Sequence, residues 1–546
     1  KSTDPQAVSI SSIRSANWNN FAKLLGWISN KKFISVSDKF LAALEKIPYN
    51  LSKEAGMQTY LLILGMRYLK LKNYPLEKFE EGADFVHSIA KFFAKSDKLI
   101  IRLAYAEVLT HLLLPLAGSL SAEVNHPVWV QAMNLILSTC AKFVNDTRYW
   151  SSFFKLTVTA LCVSPQELFS SKWMALIERN SVKLKSKSIE DRTNFAVGVS
   201  RLVWVYIFRC TESLNNTEKS LKKLFQLFTT TKKKENWLTT DIVLSNAMVD
   251  ILVTISYNHS SLVVEHILLP LLKTGYTGSL EHLQHERVLI VINAFKGLLV
   301  SKERPEFPID ENREYEVNLN DISVSQSMPN FPDYEEIATT LNKLFLSLDA
   351  VLGSEVWSPE NEHVKTPSTP FQSIPALFKS VANAHADGGG NNSADPASYF
   401  NLHNAHSDGG TKSAHALNTV VFANLIEVIP CCTTVSQNIS LKGTIEVLSR
   451  NAVHEETMLA QACENAVKSF AAKKNPYTLI TWFAKYSFDF DEKTQSSYDL
   501  AYLISGEYKQ LLLLYIDILE CWLESFKKST SESKKKEMGL DGIHLP

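Results

Sequence analysis

LTVTALCVSPQELFSSKWMALIERNSVKLKSKSIEDRTNFAVGVSRLVWVYIFRC, residues Leu156 to Cys210, shows helix ends, helix faces and a buried helix in one block. Ser164 is placed as an N-cap, with Pro165 at the first helical position and Glu167 three residues on, the pattern of a capping box. Leu168, Phe169, Trp173, Leu176 and Ile177 then recur at helical spacing. A basic connection follows (Lys183, Lys185, Lys187), and Ser188 with Asp191 can start the next helix. That helix ends in Arg201-Leu-Val-Trp-Val-Tyr-Ile-Phe-Arg209, seven apolar residues between two arginines. A buried strand would look the same locally. The upstream register of Phe195, Val199 and Leu202 favours a helix buried on several sides.

The same pattern extends along the chain. Trp129, Met133, Ile136, Cys140 and Phe143 fall at steps of four, three, four and three, opened by Pro127. Tyr334, Ile337, Leu341, Leu344, Leu348 and Val351 form a second stripe, capped by Asp333 and stopped by Gly353. A long last helix is expected from about Ser496 to Lys527, with Leu500, Leu503, Leu511, Leu514, Ile518, Trp522 and Phe526 as its stripe. Isolated glycines in Leu24-Leu-Gly-Trp27 and Thr274-Gly-Tyr-Thr-Gly278 are read as helix ends. Glu314 to Ser325 alternates and suggests a short hairpin or an edge strand.

Helices of this length with short polar connections predict an all-α, HEAT/armadillo-like helical-repeat solenoid with long surface insertions. Units of about 40–47 residues leave room for roughly ten. His111-Leu-Leu-Leu-Pro-Leu116 and His266-Ile-Leu-Leu-Pro-Leu271 hint at internal similarity, and a proline in such a pattern marks a kink. The expected division is helical repeats over 1–300, an irregular insertion over 301–332, a helix over 333–353, a low-complexity segment over 354–413, further repeats over 414–528 and a Lys/Ser-rich tail over 529–546.

Composition narrows the function. At 546 residues the chain is too long for one ordinary domain unless it is a repeat array or has several domains. Apolar residues make up 45% and charged residues 21%, a globular balance that excludes a wholly disordered chain. A formal net charge of −1 argues against a nucleic-acid binder. The seven cysteines (Cys140, Cys162, Cys210, Cys431, Cys432, Cys463, Cys521) are odd in number and scattered, which fits free thiols in a reducing compartment. Pro115 and Asp517 interrupt the longest apolar runs, so no transmembrane segment is expected, and no signal-peptide pattern is present. The start at Lys1 without a methionine suggests a piece of a longer protein.

Candidate sites are few. His282, His285 and Glu286 could contribute to a zinc site but lack further ligands, and read as a solvated helix start. His385, His403, His406 and His415 lie in or beside the low-complexity segment, where metal binding would be adventitious. Cys431-Cys432 reads as two thiols at a helical turn rather than a redox pair. No GxSxG, P-loop, HExxH or dinucleotide fingerprint occurs, so neither an enzyme nor a cofactor is expected. Ser358, Thr366 and Thr369 each precede proline and are candidate phosphorylation sites. Lys232, Lys233 and Lys234, with Trp237 beside them, form a candidate surface for a charged partner; Lys183 to Lys187 and Lys534 to Lys536 are the other basic runs.

The Leu156–Cys210 block resembles the N-terminal region of the Furry / Tao-type cell morphogenesis proteins. The resemblance continues in QTYLLILGMRYLKLKNYPLEKFE (Gln58 to Glu80), AYAEVLTHLLLPLAGSLSAEVNHPVW (Ala104 to Trp129) and Val428 to Val467. Asn, Ser and Lys usage points to a fungal member. These are packing sequences, so the resemblance implies a non-catalytic scaffold. It implies support of NDR/LATS-class kinases with their Mob co-activators in polarised growth, cell morphogenesis and cell separation. It also implies a cytoplasmic location at the cell cortex and sites of polarised growth. The matched Arg201, Trp204, Tyr206 and Arg209 are then expected to fix repeat packing. A helical adaptor of nuclear-transport or vesicle-coat type shares the same fold physics and remains the other reading.

Overall fold

The computed structural model describes residues 11–47, 53–144, 148–210, 212–229, 242–300, 304–309, 332–353, 410–433, 435–473, 476–488 and 506–537. Among these residues no strand occurs. The Glu314–Ser325 alternation, Lys232–Lys234, Trp237, Ser358, Thr366, Thr369, His385, His403 and His406 lie outside them. The chain divides into two units, the first formed by residues 1–237, 246–258 and 304–313, the second by 238–245, 259–303 and 314–546.

The first unit begins with α1 (Ser12–Ser29), α2 (Phe33–Glu45) and α3 (Lys53–Leu64), the last running into a 3-10 turn over Gly65–Tyr68. It continues through α4 (Leu76–Lys95), α5 (Leu99–Leu113), α6 (Pro127–Cys140) and α7 (Trp150–Cys162). Each helix packs on the one two places along: α2 on α4 and α4 on α6 in one layer, α3 on α5 and α5 on α7 in the other. This two-layer stacking is the arrangement of helical repeats. The sequence supports it directly. In α4, Phe79, Ala83, Val86, Ala90 and Phe93 recur on one buried face, and in α6 so do Trp129, Met133, Ile136 and Cys140. At Leu114–Leu116 the backbone leaves the α-helix for a 3-10 turn around Pro115, whose ring cannot continue the helix.

Two short helices, α8 (Gln166–Ser170) and α9 (Trp173–Asn180), lead into α10 (Ile189–Arg209), α11 (Leu214–Thr229) and α12 (Ile242–Val263), of which residues 246–258 belong to the first unit. The α10 helix starts as its sequence suggests: the Ser188 hydroxyl accepts a hydrogen bond from the Asp191 N–H at 3.3 Å. The capping box at Ser164 does not form. The buried Ser164 hydroxyl instead donates back to the Ala160 carbonyl at 2.7 Å, and Pro165 stands at the N-cap of α8 without a side-chain bond.

The second unit holds a π-turn at Val264–Leu268, then α13 (Leu269–Gly275), α14 (His285–Val300), α15 (Pro332–Leu352), α16 (Gly410–Cys432), α17 (Leu441–Asn451), α18 (Thr457–Lys473), α19 (Pro476–Phe488) and α20 (Gly506–Glu537). One layer runs α15, α16, α18, α20, and α17 packs on α19 in the other. Several expected boundaries shift. Asp333 lies inside the first turn of α15 and not at its cap. The α16 helix opens at Gly410, four residues early, and α20 continues through Glu537 into the segment read as a tail. Gly26 sits inside α1, while Gly275 does close α13 and Gly278, at φ 98°, takes the left-handed turn that follows.

Packing between α7 and α10 is tight at Gly198. A Cβ there would lie 2.7 Å from Phe154 Cε1, inside the stack of Trp150, Phe154 and Phe195. Gly198→Leu is therefore expected to overpack this site and cost about 1–3 kcal/mol, read as a lower midpoint in urea unfolding, whereas Val197→Ala in the next position leaves the helix contact in place.

Candidate functional site

The most elaborate polar structure of the first unit centres on α10. Its residues from Asn194 to Ile207 are all buried, so polar side chains there must find partners inside the protein. Arg201 is 2% exposed. Its Nε donates to the Pro308 carbonyl at 2.9 Å and its Nη2 to the Ile309 carbonyl at 2.8 Å. One turn on, Trp204 Nε1 donates to the Pro305 carbonyl at 2.7 Å. The Phe307 ring meets the Trp204 ring edge-on at 5.2 Å, and the Arg304 guanidinium lies 4.4 Å from the centre of that indole. Residues 304–309 thus lie as an irregular strap, with carbonyls at Pro305, Pro308 and Ile309 held by α10 and a tight turn from the Ile309 N–H to the Phe307 carbonyl at 2.8 Å. Gly118 leaves room for it, since a Cβ there would stand 2.7 Å from the Phe307 Cβ.

This corrects the expectation of a surface insertion over 301–332, at least at its start. Phe307 and Pro308 are buried, and the strap is part of the first unit's core. The sequence carried one usable signal, the apolar Phe307-Pro-Ile309 cluster inside an otherwise polar segment.

The second arginine closes the end of α7. Arg209 Nη1 donates to the Cys162 carbonyl at 2.6 Å and Nη2 to the Ser164 carbonyl at 2.8 Å. The carbonyl between them, Val163, accepts from Trp129 Nε1 at 2.8 Å. A helix C-terminus leaves carbonyls without intrahelical donors, and here side chains from two other helices supply them. Burial pushes the Arg209 guanidinium down from its ordinary value, but its hydrogen bonds are those of a cation. Tyr206 stacks on Trp173 at 4.3 Å between centroids and its hydroxyl donates to Glu212 Oε2 at 3.0 Å.

The second unit builds a comparable junction from its own residues. Asp349, near the end of α15, accepts from Arg450 Nη2 and from Asn451 Nδ2 at 2.9 Å, and the Leu352 carbonyl lies 2.7 Å from His454 Nε2. Lys296 and Glu427 form a nearly buried ion pair between α14 and α16. His285 bonds the Asn418 side chain through Nε2 at 2.7 Å, and burial pushes its pKa down. It is half-buried between helices and not on a solvated start, while His282 is exposed. No cluster of three metal-ligating side chains occurs among the described residues.

All seven cysteines carry free thiols; Cys140, Cys162, Cys432 and Cys463 are buried and Cys210, Cys431 and Cys521 are half-buried. Burial pushes the Cys140 and Cys162 thiols up to about 12. The chemistry of this site is therefore retention of backbone by charged and aromatic donors.

Arg201→Met removes two charge-assisted hydrogen bonds and leaves two carbonyls unpaired, costing about 2–4 kcal/mol. Trp204→Phe keeps the ring and costs about 1–2 kcal/mol. In both, hydrogen–deuterium exchange rises first over 304–309. At pH 8 a pKa near 12 leaves about one Cys162 in ten thousand as thiolate, so an alkylating reagent is expected to modify Cys140 and Cys162 only after denaturant unfolds the chain.

By length and composition alone, three described helical stretches are apolar enough to cross a bilayer: Leu99–Leu116, Ser245–Gly275 and Ala414–Cys432.

Comparison with known proteins gives the context for this geometry. The family model described as "Cell morphogenesis N-terminal" matches residues 1–523. The cell morphogenesis protein PAG1 of Saccharomyces cerevisiae is 54% identical over all of this chain, which covers 22% of that protein. The cell polarity protein mor2 of Schizosaccharomyces pombe is 28% identical over 59% of this chain and 15% of its own length. The chain thus spans about a fifth of the length of these relatives. A crystal structure of an engineered protein aligns over 94% of this chain and 98% of its own, at 11% identity and a TM-score of 0.34, a likeness too loose to assign a repeat type. From residue 1 to residue 523, this chain belongs to the cell morphogenesis N-terminal family.

Proposed function

We propose that this chain is a non-catalytic segment of a scaffold for cell morphogenesis, and that it supports NDR/LATS-class kinase–Mob signalling at sites of polarised growth. The observation that carries this reading is the 54% identity, along the full chain, to a yeast protein named for cell morphogenesis. The stacked helices give it physical form. Within each unit, layers of stacked helices bury a core and leave faces on which other proteins can dock.

The absence of a catalytic role is part of the proposal. It is supported by what the buried charges do: Arg201 and Arg209 hold backbone carbonyls, and Lys296 and Arg450 hold carboxylates. The three apolar helices are assigned to the protein core rather than to a bilayer. Between half and 67% of each lies buried in the fold, and Ala414–Cys432 carries Glu427 and Asn418, which have partners in α14. We assign Lys232, Lys233 and Lys234 to a charged partner surface, and Ser358, Thr366 and Thr369 to regulation by proline-directed phosphorylation. No observation favours the nuclear-transport or vesicle-coat reading over this one.

A pull-down of the purified chain with a reconstituted NDR-class kinase–Mob complex tests the proposal. Binding is expected near about 0.1 M salt and is expected to weaken as salt rises and screens the lysines. The triple charge reversal Lys232→Glu, Lys233→Glu, Lys234→Glu is expected to weaken it by about tenfold, equivalent to 1.4 kcal/mol. No binding even at about 0.1 M salt, by chain shown to be helical by circular dichroism, overturns the kinase–Mob assignment.

A further inference from the structure

Three segments of the first unit enclose a pocket of about 180 Å³. They are the connection from α1 to α2 (residues 30–33), the chain after the Gly65–Tyr68 turn (residues 70–72) and the first turns of α4 (residues 78–82). These walls are fixed to one another. The Lys70 N–H donates to Ser29 Oγ at 3.2 Å, and Lys72 Nζ donates to the Asn30 carbonyl at 2.9 Å. The Phe33 ring meets Phe85 of α4 edge-on, with centroids 5.6 Å apart. A Cβ on Gly82 would stand 3.3 Å from Leu71 Cδ2, so the chain lies close on α4 there. The pocket is therefore preformed, and a ligand would not have to order its walls.

Its charge is one-sided. Four lining residues are lysines (Lys31, Lys70, Lys72, Lys78), and the one acid, Glu81, pairs with Lys78 at 2.6 Å. Lys31 and Lys70 are exposed and form no ion pair among the described residues. The other acids at the start of α4, Glu77 and Glu80, do not line the pocket, and Glu80 turns to His126, 3.7 Å away. Phe33 is also the first residue of α2, whose N-cap Lys32 makes no side-chain bond and whose first turn holds no acid. The positive end of that helix adds to the field of the lysines. Cations gathered around one concavity repel one another, and an anion seated among them relieves that repulsion.

We propose that this pocket binds the phosphorylated headgroup of an anionic membrane lipid and so holds the first unit against a membrane surface. Two features favour a lipid over other sources of phosphate. First, the pocket has four lysines and no arginine. Phosphopeptide sites rely on the planar guanidinium, which grips one phosphate through two parallel hydrogen bonds. Ammonium groups are point charges on flexible stems, and they suit a headgroup whose phosphates are met from several sides. Second, residues beside the lining ones in sequence are apolar and exposed: Tyr74 at 82%, Leu76 at 55% and Ile34 at 49%. Such side chains enter the interfacial layer of a bilayer while neighbouring lysines meet its anionic headgroups. A soluble phosphate would leave them in water. This attachment is peripheral, and it does not rest on the kinase–Mob reading.

The test is co-sedimentation of the purified chain with phosphatidylcholine vesicles that carry either a bisphosphorylated inositol lipid or phosphatidylserine at equal total charge. Binding is expected to be about tenfold tighter to the inositol lipid, and to weaken about tenfold in Lys31→Glu/Lys70→Glu. The control Lys185→Glu/Lys187→Glu makes the same charge change at exposed residues outside the pocket and is expected to bind as the unaltered chain does. Leu76→Ser is expected to lower vesicle binding while leaving binding of soluble inositol trisphosphate unchanged. Circular dichroism confirms that each variant stays helical. Equal binding to both kinds of vesicle, equal loss in the two double variants, or no sedimentation by helical chain would overturn the proposal. So would binding of inositol trisphosphate without binding of vesicles, which would make the ligand a soluble phosphate. Displacement by free O-phosphoserine and not by inositol trisphosphate would overturn it in favour of a phosphopeptide. The kinase–Mob pull-down contains no lipid, so the two proposals stand or fall separately.

Discussion

A helix buried on several sides has nowhere to solvate its polar groups, and the first unit depends on how α10 meets that constraint. Its guanidinium and indole donors cannot be left unpaired in a low-dielectric interior, where each would cost about 1–3 kcal/mol or more. The irregular backbone at 162–164 and 305–309 has the complementary problem, carbonyls that no helix or sheet satisfies. Arg201, Trp204 and Arg209, with Trp129 from α6, bring the two deficits together. The arginines suit this role because a planar guanidinium offers several donors in fixed directions, so one side chain spans two carbonyls. Alternative packings of α10 would strand both sets, which makes the junction a source of register as much as of stability.

In the second unit the same logic is expressed with carboxylates. Asp349 is buried and would be costly alone, yet Arg450 and Asn451 arrive together from the end of α17 and satisfy both of its oxygens. The Lys296–Glu427 pair ties α14 to α16 in a nearly dry setting. Making such a pair contributes little net stability, because desolvation offsets attraction; losing one partner is what costs several kcal/mol. These groups therefore fix which helix ends meet, while apolar faces supply the driving force for stacking.

That difference explains what the sequence could show. Helix faces are local: Trp129, Met133, Ile136 and Cys140 announce a stripe within twelve residues, and the stripe is buried as its spacing requires. The junctions are not local. Arg201 and its acceptors at 308 and 309 are more than a hundred residues apart, and nothing at either place names the other. The Ser164 capping box failed for a related reason. Its hydroxyl had a nearer acceptor in the preceding turn, and its carbonyl was claimed by an arginine forty-five residues away. Likewise His285 looked solvated beside polar neighbours because Asn418, its partner, lies far along the chain.

The first helix shows a second limit, in which periodicity is present but its sense is inverted. Reading apolar residues as the buried face would turn α1 around, placing Phe21, Leu24 and Ile28 inward. Close approach decides otherwise. The Lys70 N–H reaches the Ser29 hydroxyl across a close backbone approach, which Ala22 and Gly26 permit while Leu or Phe would hold the segments apart. In α1 the small residues occupy the seam, and Phe21, Leu24 and Trp27 lie on the side opposite it. The sense of this helix is thus set by how closely its seam must approach the turn after α3, and not by where its large apolar residues fall.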